Sequence, residues 1–578
     1  MKKILLCLTA LISFTAAHAQ WDSNPASANN AVISGEPDES FTISISDGAD
    51  GAIIISQSYN LLAFPFTTDI NAQRINAAGV LQWGNATTPK SVLSNSSPVA
   101  FIYLADAIPD GSGGAYIAWQ EYIDTFSNIY LQHINSSGNK LWPAAGIKVN
   151  RNNNRTAGSI RLCTDGGGGV VATWDESIYD EETETTLYSQ IFAQRFNSNG
   201  DRQWGINAVQ VCTNAGIRAF PSLVYDGSGY VIYFPDTRNS TLTAENDFEN
   251  IDVFAQRLNT TGSLTWAAAG VPVVTTALNQ IAAGENLDSR SLITDGAGGT
   301  IYCFAQSAVN REDTVKLFAQ RLNASGVRQW NVAGISVCNI ESSKSILKMV
   351  SDGAGGVVAA WQDFRTAMQP TLYAQRITSA GTASWTTDGI NILPANESIH
   401  FSQQGMTEDG AGNYIFTWAK TAAADMNIVA QKLSNAGSFV WGNTPKPVCT
   451  RTGTNAAAPN IVKSNAGASI IAWLDQRNGF TLFTDVYAAK IGADGNLGGS
   501  TPVATTYTFT GNGNWNNAAN WSNNSIPPAT LPSGSTITIN HAAGGQCVLN
   551  VSQTIAAGAT LTVLTGKNLV VAGNLSIN

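Results

Sequence analysis

The chain has 578 residues, of which 44% are hydrophobic and only 12% charged. Its formal charge is −10. That composition supports a sizeable core and excludes global disorder. The acidic balance argues against non-specific nucleic-acid binding, which needs clustered cations to displace counterions.

The first 19 residues, MKKILLCLTALISFTAAHA, carry two lysines, a short apolar run and small residues at Ala17 and Ala19. This is the plan of a secretory signal peptide cut after Ala19. The apolar run is too short to span a bilayer, and no later stretch is long and apolar enough to do so. The sequence therefore predicts an exported protein, secreted or at the cell surface, without a transmembrane segment. Six cysteines follow the leader: Cys163, Cys212, Cys303, Cys338, Cys449 and Cys547. None lies in a CxxC, and buried free thiols are the expectation.

From residue 20 a repeat governs the sequence. Trp21, Trp83, Trp142, Trp204, Trp266, Trp330, Trp385 and Trp441 recur at about 60 residues. A glutamine recurs in step, mostly in the string AQR, and so does a glycine turn of the type DGxGG. Each unit holds four short runs rich in Val, Ile, Tyr, Phe and Trp, with no long 3.6-residue period. In the sixth unit these are SILKMVS, GVVAAWQD, TLYAQRI and ASWTTDGINIL. A four-stranded antiparallel meander at this period is a propeller blade. The expected fold is all-β: an eight-bladed β-propeller over 20–503, its first blade starting near Glu39. The final unit lacks its tryptophan strand, and Trp21–Ser34 resembles one. The N-terminal segment should therefore complete the last blade and close the ring. The repeated tryptophans read as packing residues between blades. The Arg of each AQR is expected to pair with the Asp ending the second strand, as in WQDFR (Asp363) and WLDQR (Asp475).

From about Thr506 the composition turns Asn-rich and then gives short β-runs at roughly ten-residue spacing. Residues 504–578 read as a separate β-rich module, solenoid-like or a small sandwich. It is a candidate surface-attachment element that pairs with another surface component.

Motifs for chemistry are scarce. There is no HExxH, CxxC, GxxxxGK[ST] or GxSxG, and His133, His400 and His541 are isolated. No catalytic residue is assigned. The second-to-third-strand loops share one face of a propeller, and several are acidic and aromatic. Candidate ligand-binding residues are Glu121, Tyr122 and Asp124 in the second unit, Asp175, Tyr179 and Asp180 in the third, and Asp247, Phe248 and Glu249 in the fourth. Rings stack on sugars or peptides, and carboxylates accept hydrogen bonds. The same carboxylates suit Ca²⁺, the one cofactor the sequence suggests.

The strings DGAGGVVAAWQDFR and LYAQRITSAGTASW resemble repeats of secreted bacterial β-propellers over roughly residues 21–500. The resemblance implies the fold and leaves activity open. The expected function is an exported binding or surface scaffold protein, adhesive in character, presenting a loop face to an extracellular glycan or protein. The alternative is a polysaccharide-active enzyme, a glycoside hydrolase or lyase, using loop-face carboxylates.

Overall fold

The structure is a computed structural model. It describes residues 21–577 except 28, 36–37, 61–66, 96–99, 124–125, 152–154, 181–184, 243–247, 250, 277, 282–290, 308–313, 367–369, 395–396, 398, 400–403, 423–424, 478–483, 499–505, 523–525, 528–529, 532–534 and 556–557. Of Tyr179, Asp180, Phe248 and Glu249 it describes the backbone only. The chain forms two compact units, residues 1–499 and 500–578.

The first unit is an eight-bladed β-propeller. Seven antiparallel sheets follow one another in sequence, with first strands beginning at Asp38, Ala100, Thr156, Ser222, Asn279, Lys344 and Gly405. The eighth sheet takes three strands from Ala456–Lys463, Ser469–Asp475 and Asp485–Ile491, and its outer strand from Asn30–Ile33. Asn30 pairs with Ala488 and Ala31 with Tyr487, so the N-terminal segment closes the ring as expected. Hydrophobic clusters fill the spaces between neighbouring blades. In one, Ile53, Ile55 and Trp83 of blade 1 meet Ile102, Leu104 and Trp119 of blade 2.

The repeated tryptophans hold adjacent blades through a hydrogen bond as well as by packing. Each indole Nε1 donates to a carbonyl in the third-to-fourth-strand turn of the next blade. Trp83 bonds Ser136 at 2.8 Å, Trp142 bonds Ser198 at 2.9 Å and Trp441 bonds Ala493 at 2.9 Å. The repeated glutamine acts within its own blade. Gln375 Nε2 donates to Thr386 O, while its Oε1 accepts from the Arg376 and Trp385 amides.

The AQR arginines correct one expectation. Their partner is the Asp that opens the glycine turn, not the Asp that ends the second strand. Arg74–Asp47, Arg195–Asp165, Arg257–Asp226, Arg321–Asp295 and Arg376–Asp352 pair at 2.7–3.0 Å. The reason is topological. Arg376 lies opposite Val358, beside the turn, whereas Asp363 lies opposite Thr371 at the other end of the strand. Asp363 instead accepts from Trp361 Nε1 at 2.8 Å and Arg365 at 2.6 Å. The turn itself needs glycine. Gly353 and Gly355 have φ of 73° and 82°, and a Cβ on Gly356 would lie 2.3 Å from Ile377 O.

The second unit consists of three parallel three-stranded sheets. Thr506–Phe509, Thr536–Ile539 and Thr560–Val563 stack in register, and two further sheets repeat the pattern. The chain visits the three sheets in turn, three times over, which is the topology of a β-solenoid. Phe509, Trp515 and Trp521 form its buried aromatic core. Cys163, Cys212, Cys303, Cys338, Cys449 and Cys547 are free and buried. Among the described residues, no helix is long and apolar enough to cross a membrane.

Candidate functional site

Strand alternation decides which loop-face residues can act together. In blade 2, Phe101 pairs with Tyr122 and Tyr103 with Gln120, so these four side chains share one face of the sheet. That face looks toward blade 3. Gln120 Nε2 and Ser127 Oγ both donate to Ala157 O, at 2.9 and 2.7 Å. Gln120 Nε2 also donates to the Tyr122 hydroxyl at 2.7 Å. Tyr103 and Tyr122 meet edge to face with centroids 5.4 Å apart. Despite their size, Phe101 is 67% exposed, Tyr103 48% and Tyr122 36%. Burial raises the Tyr122 phenol, with Tyr103 and then Asp175 adding to it, so the hydroxyl stays protonated.

Blade 3 supplies the opposite wall. Ala157 pairs with Glu176, and Ile178 with Tyr188, so Glu176, Ile178 and Tyr188 look back toward blade 2. Glu176 is buried and its Oε1 accepts from Trp174 Nε1 at 3.1 Å. Arg155 lies 3.7 Å from Glu176 Oε2, donates to the Tyr188 hydroxyl at 3.1 Å, and sits 4.3 Å over the Tyr188 ring. Burial raises the Glu176 carboxyl, opposed by Trp174, Arg155 and Lys148. A cleft of about 450 Å³ opens here, lined by Val149, Arg151, Arg155, Trp174, Glu176 and Phe192 among others. It falls in the size range of small-molecule sites.

Of the residues expected from sequence, the three with described side chains, Glu121, Tyr122 and Asp175, do not share one face. Tyr122 lies in the groove, but Glu121 is on the opposite face of the same strand, where burial and then Glu121 raise the Tyr130 phenol. Asp175 looks toward blade 4, where its Oδ2 accepts from the Phe220 amide at 3.0 Å. It is buried, and burial raises its carboxyl. Tyr179 and Asp180 end the long second strand of blade 3. Phe248 and Glu249 pair with Leu242 and Thr241 in a two-stranded ribbon. Asp124 and Asp247 lie outside the described residues. Among the described residues, no group of three or more His, Cys, Asp or Glu is placed to hold a metal ion.

Sequence reasoning missed Phe101, Tyr103, Arg155 and Tyr188. A signal existed for the first two. The first strand of blade 2 reads FIYLAD, with rings two residues apart, where blade 1 has one ring (SFTISIS) and blade 6 none (SILKMVS), so two rings fall on one face.

The arrangement can stack planar or amphipathic rings on tyrosine and phenylalanine and can donate hydrogen bonds from phenol and guanidinium. Among the described residues, Asp175 and Glu176 are not set across one bond, because they are neighbours on a strand and face opposite ways.

No known protein family matches the chain, and no curated protein does. Several solved structures are similar in fold. A protein of unknown function from Dyadobacter fermentans is 12% identical, covering 59% of this chain and 96% of that one, with a TM-score of 0.32. An ulvan lyase from a new polysaccharide lyase family is 11% identical, covering 66% and 91%, with a TM-score of 0.39. The β-propeller domain of the trilobed protease from Pyrococcus furiosus is 12% identical, covering 67% and 93%, with a TM-score of 0.34. Likenesses this distant say nothing about activity.

Proposed function

We propose that this chain is an exported carbohydrate-binding propeller whose ligand lies in the groove between blades 2 and 3. One observation carries the reading: Phe101, Tyr103 and Tyr122 stand open to solvent together on a single wall, although the fold buries most of its large aromatic residues. Exposed aromatic patches of this kind mark binding surfaces. Tyrosine offers an apolar face for the C–H side of a sugar ring and a hydroxyl for its edge. Gln120 orients the Tyr122 hydroxyl. Binding rather than cleavage is favoured because Glu176 is buried against Trp174 and Asp175 is buried with its Oδ2 held by the Phe220 amide.

A glycan panel assayed for both binding and release of new chain ends tests this. Tyr103→Ala and Tyr122→Ala should each weaken saccharide binding about tenfold. Unchanged affinity in both variants would remove the groove from the reading. Chain-end release that disappears in Glu176→Gln would turn the binder into an enzyme.

A further inference from the structure

Residues that every blade shares maintain the blade, so departures from the repeat that neighbouring blades hold in common point to function. The second strand carries QSY (57–59) in blade 1 and QEY (120–122) in blade 2. The equivalent positions of the other six blades read DES, PDT, AQS, QDF, AKT and LDQ. The two copies are built alike. Gln57 Nε2 donates to the Tyr59 hydroxyl at 2.6 Å, and Gln57 Oε1 accepts from the Leu104 amide, in the first strand of the next blade, at 2.6 Å. Gln120 Nε2 donates to the Tyr122 hydroxyl at 2.7 Å and to the Ala157 carbonyl, again in the first strand of the next blade, at 2.9 Å. Tyr59 thus stands to blade 2 as Tyr122 stands to blade 3, and it keeps part of its surface open to solvent. Tyr103, beside Leu104 in the first strand of blade 2, lies close to both. Its ring meets Tyr122 edge to face, and its phenol adds to the burial that raises the Tyr59 and Tyr122 phenols.

We infer that the ligand is an extended saccharide chain rather than a single sugar, with one ring stacked on Tyr103 and Tyr122, a second on Tyr59, and the chain crossing the first strand of blade 2 between them. The inference rests on the carbohydrate reading above and adds to it a second stacking residue and a ligand length. Two like platforms at successive blade junctions suit a ligand that is itself made of like units. Each platform alone offers one weak stacking contact. Joining two sugars in one chain makes the second contact intramolecular, so affinity grows with chain length. Both tyrosine hydroxyls are already held by glutamine, so little side-chain freedom is lost on binding.

The test is calorimetry on the full chain with cellohexaose, laminarihexaose and hexagalacturonic acid, each compared with its own disaccharide. At least one hexasaccharide should bind at least about tenfold more tightly than its disaccharide. Y59A should lower that hexasaccharide's affinity at least about tenfold and so narrow the gap. Y59L, which keeps apolar bulk without the ring, should do the same and keeps the test open if Y59A fails to fold. A disaccharide that binds as tightly as its hexasaccharide, or a hexasaccharide affinity that ignores both Tyr59 variants, overturns the inference and leaves the carbohydrate reading standing. No saccharide bound at all sinks both.

Discussion

The indole Nε1 of Trp21 donates to the carbonyl of Ala77 at 2.9 Å, and this bond joins the last blade to the first. It repeats the link that Trp441 makes to Ala493 between blades 7 and 8. Lys490 Nζ reaches the same Ala77 carbonyl at 3.0 Å. The first and last blades are thus tied by the device that ties every other pair of neighbouring blades. Trp21→Phe should keep the packing and lose about 1 kcal/mol with the hydrogen bond. Trp21→Ala should lose about 3–5 kcal/mol. Urea unfolding reads both, and a Trp21→Ala protein as stable as the parent would refute the clasp.

Asp295 and Arg321 illustrate what holds the glycine turns. Burial raises the Asp295 carboxyl, but the Ala297 amide, Arg321 and the Gly299 amide outweigh it and bring the net shift below the usual range. A carboxylate depressed in the folded state contributes stability above its unfolded pKa and loses it as pH falls through the folded value. Asp295→Asn should therefore cost about 1–3 kcal/mol at neutral pH and almost nothing in strong acid. Equal cost at both pH values would show that charge has no part in it.

Glu39 works in the opposite direction. It is buried at the seam where Thr484 N donates to Asp38 at 2.6 Å and Gly35 N donates to Asp485 at 3.0 Å. Burial, then Asp485 and Asp38, push its carboxyl up to about 9. The folded state then holds a proton that the unfolded state has released. Stability should fall as pH rises from about 4.5 to about 9 and level off beyond. Glu39→Gln should flatten that limb and raise Tm in mild alkali. A variant with the parental slope would contradict the assignment.

The thiols should be silent until the fold opens. Cys212 and Cys338 accept from Arg238 at 3.3 Å and Arg365 at 3.1 Å across blade junctions. Burial raises the Cys338 thiol, and raises Cys449 to about 11. Native protein should give no rapid reaction with a disulfide reagent, and denatured protein should react fully. Fast labelling of the native chain would contradict this.

The blade count was legible because Trp recurs on all eight sheets and Gln on seven of them, Ala489 replacing it on the eighth, and because the final unit lacked a strand that Trp21–Ser34 could supply. Partners were less legible. Pairing Arg376 with Asp363 ignored that an antiparallel hairpin sends those residues to opposite ends of their strands. The groove was harder still. Glu121 and Tyr122 look like one site in sequence but straddle a sheet, while Gln120, which bonds the Tyr122 hydroxyl, meets Ala157 only when blade 3 packs on blade 2. A search for carboxylates passed over the arginines that shape the cleft.

Hydrogen–deuterium exchange of the full chain, with and without a bound saccharide, tests the groove most directly. Protection should concentrate on 57–59, 100–104, 120–123, 155–158 and 174–190, with the other blades unchanged. Protection confined to the glycine-turn face, or to blades 5–8, would contradict the account.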